Sequence, residues 1–179
     1  TLASQQPDDD AIGAIVAFSR ANNQNDAIVV QRTQGGVQPD QGFGITYMGN
    51  GQRSNTSPSF VIAQTSVGGT FKNPDGNGFS GRKSRVKITR NGDDIRAVCT
   101  TWFFDGDPVP PYEEDKALEV NLTDRSEFAK FRGPQSYGYY TFSQGGATFE
   151  DEVITGANNL TSIIASDTGE VYRWDEAQQ

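Results

Sequence analysis

The chain has no histidine among its 179 residues, and that absence bounds its chemistry more tightly than any residue present. Histidine titrates near neutral pH and is the commonest general base and metal ligand. Without it the Ser-His-Asp triad, the Cys-His pair and nearly every zinc enzyme site are excluded. There is one cysteine, Cys99, so no internal disulfide framework exists. Its neighbours Ala97, Val98, Thr100 and Thr101 alternate as in a strand, which predicts a buried, inert thiol. Positive charge is in short supply: 15 Lys and Arg against 23 Asp and Glu give a net charge of −8. That balance argues against nucleic acid and anionic membranes as partners and suits a protein that binds cations or lives in salt. No apolar run is long enough to span a bilayer, so neither membrane insertion nor a signal peptide is expected within these residues. The first residue is Thr1 rather than Met, read here as a single module over 1–179 excised from a longer surface protein.

What the chain does have is glycine (20), phenylalanine (11) and tyrosine (6), the composition of a sheet protein with many turns. Apolar stretches over 12–20, 27–32, 43–47, 60–65, 86–89, 95–104, 118–122, 137–143, 147–154, 160–164 and 170–174 read as strands. Phe43, Ile45 and Tyr47 alternate, and Asn91-Gly92-Asp93 marks a hairpin turn. Arg85, Lys87, Arg90 and Arg96 are expected on its solvated outer face. Asp124 with Glu127 three residues on has the form of a capping box, and Phe128 and Phe131 follow, so residues 125–132 are expected to be the one short helix, ended by Gly133-Pro134. Regularly spaced strands without βαβ alternation predict an all-β fold, an antiparallel two-sheet sandwich of jelly-roll type.

The densest chemistry is at Pro7-Asp8-Asp9-Asp10-Ala11-Ile12-Gly13, three consecutive carboxylates running into an apolar strand. Adjacent anions repel by roughly 1 kcal/mol per close pair even in water-like dielectric. A solvated strand entry tolerates this, and so does a bound cation. Calcium is the natural one, because it takes six to eight hard oxygen ligands. A second cluster is Asp105-Gly106-Asp107 with Tyr112-Glu113-Glu114-Asp115, and a third is Asn73, Asp75 and Asn77 among glycines. Each reads as a calcium-type oxygen cluster or as a polar surface loop. The second lacks the spacing of an EF-hand, whose sixth-position Gly and twelfth-position Glu are not met. Trp102 leads into the second cluster and Tyr112 lies within it. Carboxylates holding a cation beside an aromatic ring suit a ligand whose hydroxyls or carboxylate bind the ion while its apolar face stacks on the ring.

The stretch Asp8-Asp9-Asp10-Ala11-Ile12-Gly13-Ala14-Ile15-Val16-Ala17-Phe18 resembles the opening of the concanavalin A-like lectin jelly rolls, in the variant found in thrombospondin C-terminal domains and bacterial adhesin modules. Val86-Lys87-Ile88-Thr89-Arg90-Asn91-Gly92-Asp93 is similar to a hairpin of that superfamily, and Tyr137-Gly138-Tyr139-Tyr140-Thr141-Phe142 with Ala147-Thr148-Phe149-Glu150-Asp151 to its closing strands. The resemblance implies that Asp8, Asp9 and Asp10 ligate calcium at the sandwich edge. The superfamily also contains glycoside hydrolases, which need two carboxylates about 5 to 9.5 Å apart. Here Glu150 and Glu152 would share a strand face while Asp151 falls on the opposite one, unlike the hydrolase pattern.

The expectation is therefore a non-catalytic, calcium-dependent adhesion module, extracellular and monomeric, that binds a glycan or short peptide. Its metal ligands would be Asp8, Asp9, Asp10, Asp105, Asp107 and Asp115, and its ligand contacts Trp102, Tyr112, Asp75 and Asn77. The alternatives are a structural domain of a phage fibre or surface protein, and a polysaccharide-cleaving enzyme.

Overall fold

The structure is a computed structural model, and it describes residues 2–4, 11–21, 24–33, 42–51, 59–64, 82–103, 117–133, 135, 137–142, 147–150, 153, 162–165 and 171–173. Twelve strands in chain order make up most of it: β1 (Leu2–Ser4), β2 (Ala11–Ala21), β3 (Gln24–Thr33), β4 (Gly42–Met48), β5 (Phe60–Gln64), β6 (Arg82–Asn91), β7 (Asp94–Phe103), β8 (Leu118–Asn121), β9 (Tyr137–Phe142), β10 (Thr148–Phe149), β11 (Ser162–Ala165) and β12 (Val171–Arg173). They form a five-stranded sheet in the order β10-β1-β6-β7-β8 and a seven-stranded sheet in the order β12-β11-β9-β2-β3-β4-β5. The pairing is antiparallel except where β11 lies parallel to β9. The result is an all-β sandwich. Among the described residues no helix is long and apolar enough to cross a membrane.

The core lies between the sheets because alternate side chains of each strand turn inward. Ile28 and Val30 of β3 and Phe43, Ile45 and Tyr47 of β4 meet Ile95, Ala97 and Cys99 of β7 and Leu118 and Val120 of β8. The Cys99 thiol is thus in the middle of the core. In β2 the alternation is broken by a bulge between Ile15 and Ala17, where Val16 has no partner opposite. An extra residue in one strand lets two neighbours share a face, and Val16 and Ala17 both enter the inter-sheet core. That explains the unbroken apolar run Ala14-Ile15-Val16-Ala17. Ahead of the bulge, Ala11 and Ile15 point the other way and are buried with Ala27, Val29, Met48 and Tyr140 on the second face of the seven-stranded sheet. The middle of this sheet is buried on both faces.

The hairpin forms as its sequence predicts, β6 and β7 turning through Gly92 at φ +60°. Glycine at the first central position with positive φ matches the right-handed twist of the strands. The short helix forms where it is expected, as a six-residue 3-10 helix, Ser126–Phe131. Three details need correction. First, its N-cap is Arg125, with no side-chain capping bond, and not Asp124. Asp124 instead closes a turn, its N–H donating to the Asn121 carbonyl at 3.1 Å. A 3-10 helix repeats every three residues, so the Phe128/Phe131 spacing brings both rings to one face, and both are fully buried. Second, the strand expected over 147–154 is confined to Thr148–Phe149, and Val153 is 81% exposed. Glu150 is exposed outside it, and residues 151 and 152 lie outside the described residues. Third, Arg90 shares the parity of the inward-facing Val86 and Ile88, so it leaves the solvated row.

Candidate functional site

The two ends of the sandwich are built differently. One is closed by the 3-10 helix. Phe128 and Phe131 pack on Tyr47 and Phe60, with ring centroids 5.0 Å apart for Tyr47–Phe60 and 6.1 to 6.3 Å for Tyr47 to the helix rings. The Arg125 guanidinium lies 4.5 Å over the Phe60 ring. Lys130 pairs with Asp26 and donates to the Tyr47 hydroxyl at 3.2 Å, tying helix to sheet. Burial opposes the charge on Lys130, but hydrogen bonds to Asp26 and Tyr47 and their charges outweigh it, so its pKa is raised. Arg90 donates to the carbonyls of Phe131 at 2.6 Å and Gly133 at 3.0 Å, and so caps the helix from the other sheet. Burial lowers its pKa, with Asp93 opposing.

At the opposite end the strand termini line up across each sheet. In the seven-stranded sheet Ala11 starts β2 beside Thr33, the end of β3, and Phe142, the end of β9, while Gly42 starts β4 beside Thr33. In the five-stranded sheet Ser4, Arg82 and Phe103 are in one row. A bond between the sheets fixes the two levels together. Arg32, 2% exposed, donates from Nη1 to the Ser84 hydroxyl at 2.6 Å.

The residues expected to bind metal or ligand relate to this frame through the strands that border them. Asp8, Asp9 and Asp10 lie outside the described residues, between Ser4 and Ala11. Asp75 and Asn77 also lie outside them, between Gln64 and Arg82, as do Asp105, Asp107, Tyr112 and Asp115, which follow Phe103. Trp102 is placed by its backbone in β7, opposite Lys83. All these bordering residues, from Ser4 and Ala11 to Phe103, are at the end away from the helix. Among the described residues themselves, no group of three or more Asp, Glu or Cys could hold a metal.

Two polar features escaped sequence reasoning. One is an open cleft of about 580 Å³ on the outer face of β6, β7 and β8, lined in part by Asp94, Arg96, Glu119 and Asn121. Arg96 meets Glu119 there at 3.3 Å, and Asn121 Nδ2 donates to Asp94 at 2.6 Å. Exposed pairs of this kind contribute about 0–1 kcal/mol. The other is a row across the second face of the seven-stranded sheet, Tyr140–Gly13–Gln31–Gly44–Gln64, each residue directly opposite the next. The only sequence signal was a glutamine ending the apolar run Ile28-Val29-Val30, with glycines on both neighbouring strands.

No family model matches the chain, and searches of curated proteins and of solved structures return no match.

Proposed function

We propose that the chain is a non-catalytic, calcium-dependent recognition module of an extracellular protein, a lectin-like sandwich that takes a glycan or short peptide. The observation that carries this reading is the convergence of strand ends. The segments that hold Asp8, Asp9 and Asp10, and Asp75 and Asn77, are bordered on both sides by strand termini at one end of the sandwich, and the segment that holds Asp105, Asp107 and Asp115 leaves from that same end at Phe103 and returns at Leu118, opposite Ala97. Loops carried by a rigid scaffold are where binding residues concentrate. Calcium would supply a dipositive centre that offsets the repulsion among those carboxylates and keeps open positions for ligand oxygens. The chain's carboxylates would hold the ion, and Trp102 and Tyr112 would present aromatic faces to the ligand. The net charge of −8 and the absence of histidine agree with hard-cation binding.

Calorimetric titration of calcium into chelator-treated protein tests the metal. Binding should release measurable heat and raise the melting temperature, by an amount equivalent to about 2.7 kcal/mol at a hundredfold excess over Kd. No heat and no rise would end the proposal. A glycan and peptide array read with and without calcium then separates a recognition module from a structural one. The structural reading predicts stabilisation by calcium with no array signal, and no effect of Asp105→Asn or Asp107→Asn on binding of any probe.

A further inference from the structure

Gln31 is 1% exposed, and its carboxamide is only half used. Nε2 donates to the Thr46 hydroxyl at 3.1 Å, while Oε1 is buried with no partner among the described residues. In the same row, one strand beyond Gly44, the Oε1 of Gln64 is likewise buried and without a partner among them. The two glutamines are the lateral neighbours of Gly44, one on each side. Strands lie about 4.8 Å apart, so the two glutamines flank the glycine at one strand spacing on either side. Gly44 contributes no side chain between them, and a Cβ built there would meet, among the described residues, only Ala63 O at 3.4 Å and Gln64 Cβ at 3.6 Å. Gly13 on the other side of Gln31 differs. A Cβ there would fall 2.7 Å from Gln31 Cα and closer still to the Val30 carbonyl oxygen, so that glycine serves strand approach.

Buried polar atoms in folded proteins are almost always partnered, by protein or by ordered water. Two buried acceptors on either side of a missing side chain ask for an oxygen that can donate to both. We infer that Gln31, Gly44 and Gln64 form an enclosed binding site for a hydroxyl oxygen, seated over Gly44 between the two carboxamides. The O–H donors come from one trapped water, which has two, or from the vicinal diol of a saccharide, each hydroxyl serving one glutamine. The site is within the sheet and stands whether or not calcium binds elsewhere.

A crystal structure of the chain grown without sugars, at better than 1.5 Å, is the direct test, paired with Gly44→Ala. The expected result is an ordered oxygen about 2.7–3.2 Å from both carboxamides, and a Gly44→Ala protein that loses it and melts about 2–4 °C lower. If the space is empty the sign reverses, because a methyl would fill it and stiffen the unfolded chain. Absence of the oxygen, or a Gly44→Ala protein that melts as high as the parent or higher, overturns the inference. Titration with glucose, followed on the side-chain amide signals of Gln31 and Gln64, separates the sources. Saturable shifts show that a sugar diol can take the place of that water, and unmoved signals leave the site to water alone.

Discussion

Gly13→Ala isolates one methyl group at the tightest point of the seven-stranded sheet. The new Cβ would have Gln31 Cα at 2.7 Å and Gln31 Cβ at 3.0 Å, with the Val30 carbonyl oxygen nearer still. Ordinary carbon contacts are about 3.5–4.0 Å, so β2 and β3 would have to part by the better part of an ångström. The atoms in the way are mainly backbone, and no rotamer relieves them. Overpacking a core costs about 1–3 kcal/mol when side chains can yield. Stretching the ladder bonds on either side of Gly13 adds to that, at about 1 kcal/mol each. The expected loss is about 3 kcal/mol or more, equivalent to about 6–12 °C in a chain of this size. Urea denaturation of the parent, Gly13→Ala and Gly44→Ala measures it with an internal control, since both glycines flank Gln31 in one row. Gly44→Ala should cost only about 1 kcal/mol, the value of a hydrogen bond given up. A Gly13→Ala protein within 1 kcal/mol of the parent would refute the close-approach argument and the β2–β3 register on which it rests.

Phe128→Ala should cost about 3–5 kcal/mol in the same assay, because it empties a fully buried position and removes contacts with Tyr47 and Phe60. Lys130→Met gives a pH signature. The raised Lys130 pKa contributes stability that is complete below the ordinary lysine range and fades as pH climbs through the folded value. The difference in stability between parent and variant should therefore shrink at strongly alkaline pH, and a constant difference from neutral pH upward would count against the pair. Cys99, in the centre of the core, should react with an aromatic disulfide reagent no faster than the chain unfolds. Reaction at the rate of a free thiol in native buffer would contradict its placement.

The strands that were legible in the sequence are those in which large apolar residues alternate with small or polar ones, whether one face is buried or both. Phe43, Ile45 and Tyr47 alternate with small or polar residues, and the Asn91-Gly92 hairpin carries its own turn chemistry, so pattern and structure agree. Legibility fails where the period is broken or shared. The β2 run Ala14-Ile15-Val16-Ala17 hides a bulge, because apolar residues on both faces of the strand leave no alternation to count. Phe128 and Phe131 at a spacing of three suit a 3-10 turn as well as an α-helix. Only the Asn121–Asp124 turn, with Thr123 N donating to Asn121 Oδ1 at 2.7 Å, decides where the helix starts. Arg90 was read by charge as solvated, yet its parity along β6 points it inward, where its guanidinium holds the carbonyls of Phe131 and Gly133 at the end of the helix. A three-residue strand such as Leu2–Ser4 has no period at all. For the site, the sequence supplies the carboxylates and the topology supplies the common end that borders them. Gln31 was invisible as a site residue because a glutamine next to a turn signal reads the same whether it meets water or a buried oxygen.

The pairing of β2 with β9 has a consequence for how the chain is made. Ala11 finds Phe142 and Gly13 finds Tyr140, partners more than a hundred positions downstream. Until β9 has been synthesised, the hairpin of β2 and β3 carries one unsatisfied edge along Ala11 to Ile15, flat and apolar. Such edges recruit other strands, and long-range pairings of this kind close slowly. Truncations that stop before residue 137 should therefore associate through β2, whereas chains that extend beyond residue 142 hold the means to cover that edge themselves.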